Sequence, residues 1–370
     1  MYSQQELDDA VASGVISAEA ATALRHHVEL QRSSAIADDE QFRLITGFND
    51  IFVSIAAAIL LFALGWIGQS IGQASHLTID FDGPSPLAPL LVASASWGLA
   101  LFFTAKRRMA LPSILLLLSF VAGVFATALL TLALGLGADS LHNNAPLGGV
   151  IAAISGAIAA AAAWLHWRRF HVPITIAAGA AAVASIAIGL LVAALGQDID
   201  SAKNVILGLV LLLGIGVFLL AMWWDSSDRA RVTRRADVAF WLHLLAAPMI
   251  VHPVFTLLGL NAGNVSLGGG IAAILLYIAL GVTALAIDRR ALLVSALAYV
   301  LWALAELFKR FGAVELNVAL TALVIGSALL LLSAFWHQAR AAIVRPLPEG
   351  LRDRLPLVDR SAASVSQPAA

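Results

Sequence analysis

The chain contains no cysteine, which excludes disulfides, thiolate nucleophiles and cysteine-ligated metal sites. Charge is almost as scarce. Asp, Glu, Lys and Arg make up 12% of the 370 residues and hydrophobic residues 60%, whereas a soluble globular chain is about a quarter charged. The formal net charge is −1, so no basic surface for nucleic acid is expected. A leader is also lacking. The first forty or so residues are polar and show no basic stretch followed by a short apolar one, so no cleavable signal peptide is expected and the first span would direct the chain to the membrane.

What the chain does have is long apolar runs. Runs of about 17–25 residues cross the hydrocarbon layer as helices, and helices are the form expected because backbone polar groups in lipid must be satisfied within the segment. The expected fold is all-α, a polytopic membrane helix bundle of ten spans. These fall at Asp50–Gly72, Leu87–Ala105, Ala110–Leu136, Leu147–Leu165, Val172–Gly196, Lys203–Trp224, Asp237–Leu260, Leu267–Ile287, Ala291–Phe308 and Leu316–His337.

Lysine and arginine placement orients such a bundle. With the N-terminus in the cytoplasm, 19 of these residues fall on the inner side, including Lys106–Arg108, Arg168–Arg169, Arg229–Arg235 and Arg289–Arg290. Only Lys203, Lys309 and Arg310 fall outside. The split predicts an even number of spans with both termini cytoplasmic.

The chain also repeats itself. "LGGVIAAI" at Leu147–Ile154 returns as "LGGGIAAI" at Leu267–Ile274, each after a short outer loop. Arg107–Arg108 match Arg234–Arg235, Arg168–Arg169 match Arg289–Arg290, Asn204 matches Asn317, and Trp223 matches Trp336. The colinear order predicts two copies of a four-helix unit, and an even helix number makes them a parallel repeat. The expected segments are a helical hairpin and linker over 1–49, two spans over 50–105, copy one over 106–224, copy two over 225–337 and a disordered tail over 338–370. The tail "RPLPEGLRDRLPLVDRSAASVSQPAA" has four prolines and no periodic apolar face.

In the N-terminal hairpin, Ser3 and Glu6 have capping-box spacing, Gly14 suits a left-handed helix end and Ser17 a second cap. Two helices this short bury too little to stand alone, so residues 1–30 are a candidate docking element for a cytoplasmic partner, a second copy or the cytoplasmic ends of the bundle. The pattern "ASGVISAEAATAL", followed by "FND" and many spans, resembles a bacterial domain-of-unknown-function family of predicted multi-pass membrane proteins. That resemblance implies the layout and brings no activity or functional residues.

Candidate chemistry centres on the seventh span, "ADVAFWLHLLAAPMIVHPVFTLLGL", with His243, Pro248, His252 and Pro253. Nine residues apart on a straight helix, the two histidines point about 180° from each other, so a metal pair is not expected. Pro248 and Pro253 deprive the carbonyls of Leu244 and Met249 of their helical donors. A bend or interruption between Leu244 and Pro253 is therefore expected, with at least one histidine facing protein or water. Matched to copy one, His243 falls on Leu116 and His252 on Phe125, so these polar groups belong to one copy only. They are candidates for a substrate or proton pathway; the alternative is one interhelical hydrogen bond each.

Glu306 is the other candidate, as an ionisable residue within a span. It also stands at ion-pair spacing from Lys309 and Arg310, and a His252–Glu306 proton site is conceivable. Asp50 is read as capping the first span at the inner interface, with burial as the alternative. The outer-loop pairs Asp80/Asp82 and Asp198/Asp200 read as solvated acidic loops or as cation attractors. No phosphate loop, nucleotide fingerprint, catalytic triad or metal-ligand cluster stands out, and no enzyme activity, cofactor or metal is expected. Two functions remain: a permease-like protein for a small solute or ion, or a structural or regulatory membrane protein that recruits a partner through its hairpin.

Overall fold

The computed structural model describes residues 10–24 and 48–358, apart from 81–82, 138–139, 141–143, 198, 230, 232, 260–266, 291–292, 294–296, 298–299, 302–303 and 306–316. Among these residues the secondary structure is helical throughout. The hairpin is helical at 10–12 and 18–24. Gly14 turns it at φ +74°, a value that suits a residue without Cβ. The hydroxyl of Ser17 accepts from the amide of Ala20 at 3.1 Å, capping the second helix.

In the larger unit the helices are α1 (Phe48–Ala74), α2 (Leu87–Phe103), α3 (Ala110–Leu136), α4 (Ala145–Phe170), α5 (Ile174–Leu195), α6 (Ile199–Ser226), α7 (Arg234–Leu257), α8 (Leu267–Ile287), α9 (Asn317–Ala334), α10 (Trp336–Val344) and α11 (Glu349–Arg352). Six of them, α1 and α3 to α7, are long and apolar enough to cross a membrane. The α9–α10 pair, bent by 75°, makes a seventh if taken as one span. The shorter α2 and residues 271–287 of α8 are apolar as well. The chain is a multi-pass helical membrane protein.

Small residues set the closest contacts, as expected where helices gain no hydrophobic drive from lipid. A Cβ added at Gly149 of α4 would meet the carbonyl oxygen of Gly189 of α5 at 2.5 Å, and one at Gly189 would meet that of Gly149 at 2.6 Å. The two backbones therefore touch. Between α1 and α2, Gln69 brackets the connecting loop: its Nε2 donates to the Gly83 carbonyl and its Oε1 accepts from the Ser85 amide, both at 2.9 Å.

Helix α7 is central. Half of its apolar window is buried, against 22% for α1, α3, α5 and α6. Val238, Leu242 and Ala246, four residues apart, pack on Val217 and Ala221 of α6, as one face of a helix should. Farther along, Val251 and Phe255 meet Ala273 of α8, Val300, Leu304 and Ile325 of α9.

Two expectations need correction, and a third is met in part. Of the bend or interruption expected in the seventh span, the interruption is absent: α7 continues through Pro248 and Pro253, because each proline frees one carbonyl and the surrounding turns persist. His243 faces protein, as expected of at least one of its histidines. The tail is not structureless from 338: α10 and α11 form, and Val344 and Leu355 are buried with Leu285, Ile287 and Trp336. Pro346, Pro348 and Pro356 punctuate the described part of that segment without preventing it from packing. Asp50 does not sit at an exposed helix start; α1 begins at Phe48 and Asp50 is buried in its first turn.

Candidate functional site

Three apolar helix ends and two connections converge on one buried cluster of charge. Asp225 lies in the last turn of α6 and is fully buried. A carboxylate there opposes the helix dipole, so it needs cations, and the turn after α8 supplies one. Arg289 Nη2 donates to Asp225 Oδ1 at 2.6 Å and its Nε to Oδ2 at 3.3 Å. The same guanidinium donates to the Ala236 carbonyl at 3.0 Å, and its Cζ lies 5.8 Å from the Phe240 ring.

From α7, His243 Nε2 lies 3.2 Å from Asp225 Oδ2. His243 is fully buried, and its ring stands edge-on to Phe218 at 5.2 Å between centroids. It lies nine residues into α7, roughly 13 Å along the helix axis from its start.

Arg231 joins this centre to a second one. Its Nε is 3.8 Å from Asp225 Oδ1. Its Nη1 donates to the Asp288 carboxylate and carbonyl, both at 3.1 Å, and its Nη2 to the Ile287 carbonyl at 2.8 Å. Arg231 and Asp288 both have φ +56°, a left-handed conformation that costs free energy in a non-glycine residue and persists where the surroundings impose it. Here each residue braces the other. Asp288 Oδ1 also accepts from Trp336 Nε1 at 2.8 Å and lies 3.8 Å from Arg340 Nε.

Arg340 in turn holds the tail, donating to the carbonyls of Leu357 and Pro356 at 3.0 and 2.7 Å. Arg229 donates to the Leu355 and Arg352 carbonyls at 3.0 and 3.1 Å. The loop before α7 is shaped by Asp228, whose Oδ2 accepts from the amide and hydroxyl of Thr233 at 2.8 and 2.6 Å. Thr233 then caps α7 by accepting from the Arg235 amide at 3.2 Å. A chain of ion pairs and hydrogen bonds thus runs from His243 through Asp225, Arg231, Asp288 and Arg340 to the tail.

Of the residues singled out in the sequence, His243 is in this cluster and His252 is not. His252 is exposed on α7 and its carbonyl accepts from Thr256 Oγ1 at 2.8 Å. Pro248 is exposed and Pro253 buried within the same helix. Glu306, with Lys309 and Arg310, lies outside the described residues. A His252–Glu306 site therefore has no geometry here. Among the described residues, no group of three or more metal-ligating side chains comes together. Sequence reasoning missed Asp225, Arg231, Asp288, Arg289 and Arg340. It took the arginines as markers of the inner side and of the repeat, yet an aspartate closing an apolar run, with arginines in two connections, was the available signal.

A second buried histidine was also missed. His166 in α4 is enclosed by Trp97, Phe120 and Phe170, with ring centroids 4.5–6.0 Å from its own, and its Nδ1 is 3.4 Å from Thr175 Oγ1. No family model, curated protein or solved structure matches the chain.

Proposed function

We propose that the chain is a permease-like protein of the bacterial cytoplasmic membrane that moves a small solute or ion, with both termini inside. The observation that carries this reading is the Asp225–His243–Arg289 triad, fully or nearly fully buried among apolar helices. Ionisable groups are costly in that setting and mark ion or substrate paths. The triad stands at the junction of the two proposed copies, since Asp225 ends α6 and His243 belongs to α7.

Continuity supports a count of ten spans. Arg290 Cζ lies 4.8 Å from the Trp336 ring, which favours the end of α8 and the far end of α9 on one side. Helix α9 has 18 residues, a length of about 27 Å, so in this reading its start is on the opposite side and the chain between crosses once. Leu293, Leu297, Val300, Leu301 and Leu304, at helical spacing, pack within the bundle there, which supports that crossing. With α1 to α8 and the α9–α10 pair, the total is ten.

The parallel repeat has support in the backbone. Left-handed Arg108 precedes α3 and left-handed Arg231 precedes α7; left-handed His171 follows α4 and left-handed Asp288 follows α8. Each second-copy residue stands four residues before the place that the paired arginines assign, about one helical turn.

The test is flux. Purified chain in liposomes would be screened by solid-supported-membrane currents and light scattering with small amino acids, carboxylates, sugars and inorganic ions. At least one should move faster than in protein-free liposomes; none doing so overturns transport. The second reading, a membrane protein that recruits a cytoplasmic partner, is favoured by the hairpin, where Val15 is 77% exposed. A partner retained by the full chain and lost with Val15→Asp, without any flux, would favour it.

A further inference from the structure

We propose that Nδ1 of His243 is a proton-binding site, making the proton one ion that this protein takes. The inference rests on the transport reading and names an ion for it.

The two ring nitrogens have different surroundings. Nε2 faces a carboxylate oxygen of Asp225 at 3.2 Å. A carboxylate that also accepts from Arg289 offers only lone pairs, so the network assigns the ring hydrogen to Nε2. Nδ1 then carries the lone pair, and it is buried with no hydrogen-bond partner among the described residues. An unpartnered buried polar atom is costly, and a proton is the smallest ligand that could occupy it.

Uptake balances simply. A hydronium ion gives up one O–H bond as the N–H bond forms at Nδ1, leaving a water molecule and an imidazolium, and breaks no bond in the protein; release reverses it. The imidazolium so formed strengthens the Nε2–H bond to Asp225 by making it charge-assisted at both ends.

The charged groups facing the ring are Asp225 from α6, Arg289 from the turn after α8, and Arg231 from the loop before α7. Burial opposes the charged ring most strongly, Asp225 favours the bound proton, and the two arginines oppose it. Arg231 is drawn aside by Asp288 at 3.1 Å against 3.8 Å to Asp225, which leaves Arg289 as the main competitor for the carboxylate. A site with opposing charges of this kind can both bind and release, as a transported ion requires. His166 is as deeply buried, but its recorded polar partner is a hydroxyl, Thr175 Oγ1. A proton there would have no carboxylate beside it, and the assignment is to His243 alone.

The test is hydrogen–deuterium exchange at the imidazole C2 position, followed residue by residue by mass spectrometry on the full chain in lipid nanodiscs over a series of pH values. A sigmoidal dependence of the His243 rate on pH is expected, and Asp225→Asn should suppress it. A flat profile, or no exchange at all, in the wild-type chain overturns the proposal whether or not the variant folds. The two readings separate cleanly. If His243 titrates while no solute crosses the liposomes, transport fails and the proton site stands. If a solute crosses while His243 does not titrate, the proton site fails and transport stands.

Discussion

Arg289 and Asp225 stand 64 residues apart in sequence and 2.6 Å apart in the bundle, Nη2 to Oδ1. Both side chains are almost wholly inaccessible to solvent. Removing one partner of a buried pair leaves the other charge uncompensated, which costs about 3–5 kcal/mol. Arg289→Ala should therefore lower stability on that scale in denaturant unfolding of the micelle-solubilised chain. Adding Asp225→Ala should restore part of it, because the stranded charge is then gone. If the double variant is as unstable as the sum of the two single ones, the pair does not act as a unit.

How much of this was readable in advance divides by range. Apolar runs and glycines act locally, so helix positions such as Ala110–Leu136 and Leu267–Ile287 fall where the runs lie. The ionic cluster is not local. It joins residues from 225 to 357 through side chains that fold back across three connections, and no spacing rule places Arg289 on Asp225. His243 was visible because a histidine in an apolar run is conspicuous; its carboxylate partner hid at the polar edge of the neighbouring run. The tail was misread for a related reason. Proline content argued against a periodic helix, whereas what orders residues 349–358 is the donation of Arg229 and Arg340 to backbone carbonyls, which needs no pattern in the tail itself.

The touching backbones of α4 and α5 make glycine obligatory at their crossing. Gly149→Val and Gly189→Val would each push a Cβ to within about 2.6 Å of carbonyl oxygen, so the helices must separate and lose contact along their length. Loss of monodispersity, or a drop of several degrees in the thermal midpoint, should follow on gel filtration or in a thermal-shift assay. Gly148→Val is the internal comparison, because a Cβ there meets nothing within 4 Å, and it should behave like the parent.

Arg340 holds the tail by two carbonyls and reaches Asp288. Arg340→Ala should free residues 349–358 while leaving the spans in place. Limited proteolysis of inside-out vesicles would show it as faster cleavage after Arg352 or Arg354 than in the parent, with no new cuts between helices. Equal cleavage rates would mean that Leu355 and the other apolar tail contacts suffice.

The proposed topology has its own check. Reporter fusions after Ala74, Asp139, Gln197 and Ala262 should read as outside, and fusions in the loop around Asp228 as inside. Inside signals at any two of the first four would overturn the ten-span arrangement and, with it, the placement of the ionic cluster on the cytoplasmic side.

The two histidines of α7 should respond unequally to one substitution. His243 is fully buried against Phe218 and supplies a hydrogen bond to Asp225. His243→Phe removes that donor from a buried carboxylate and enlarges the ring in a packed site, each costing roughly 1–3 kcal/mol. His252 is exposed from the bundle on the same helix. His252→Phe places there the residue found at the matching position of the proposed first copy and should change stability by less than about 1 kcal/mol, the scale of one interhelical hydrogen bond. Denaturant unfolding of both variants beside the parent decides the matter. If His252→Phe were the more damaging of the two, the exposed face of α7 would have to be covered in the membrane, by another copy or by a helix not yet placed, and the functional centre would move from Asp225 toward that face.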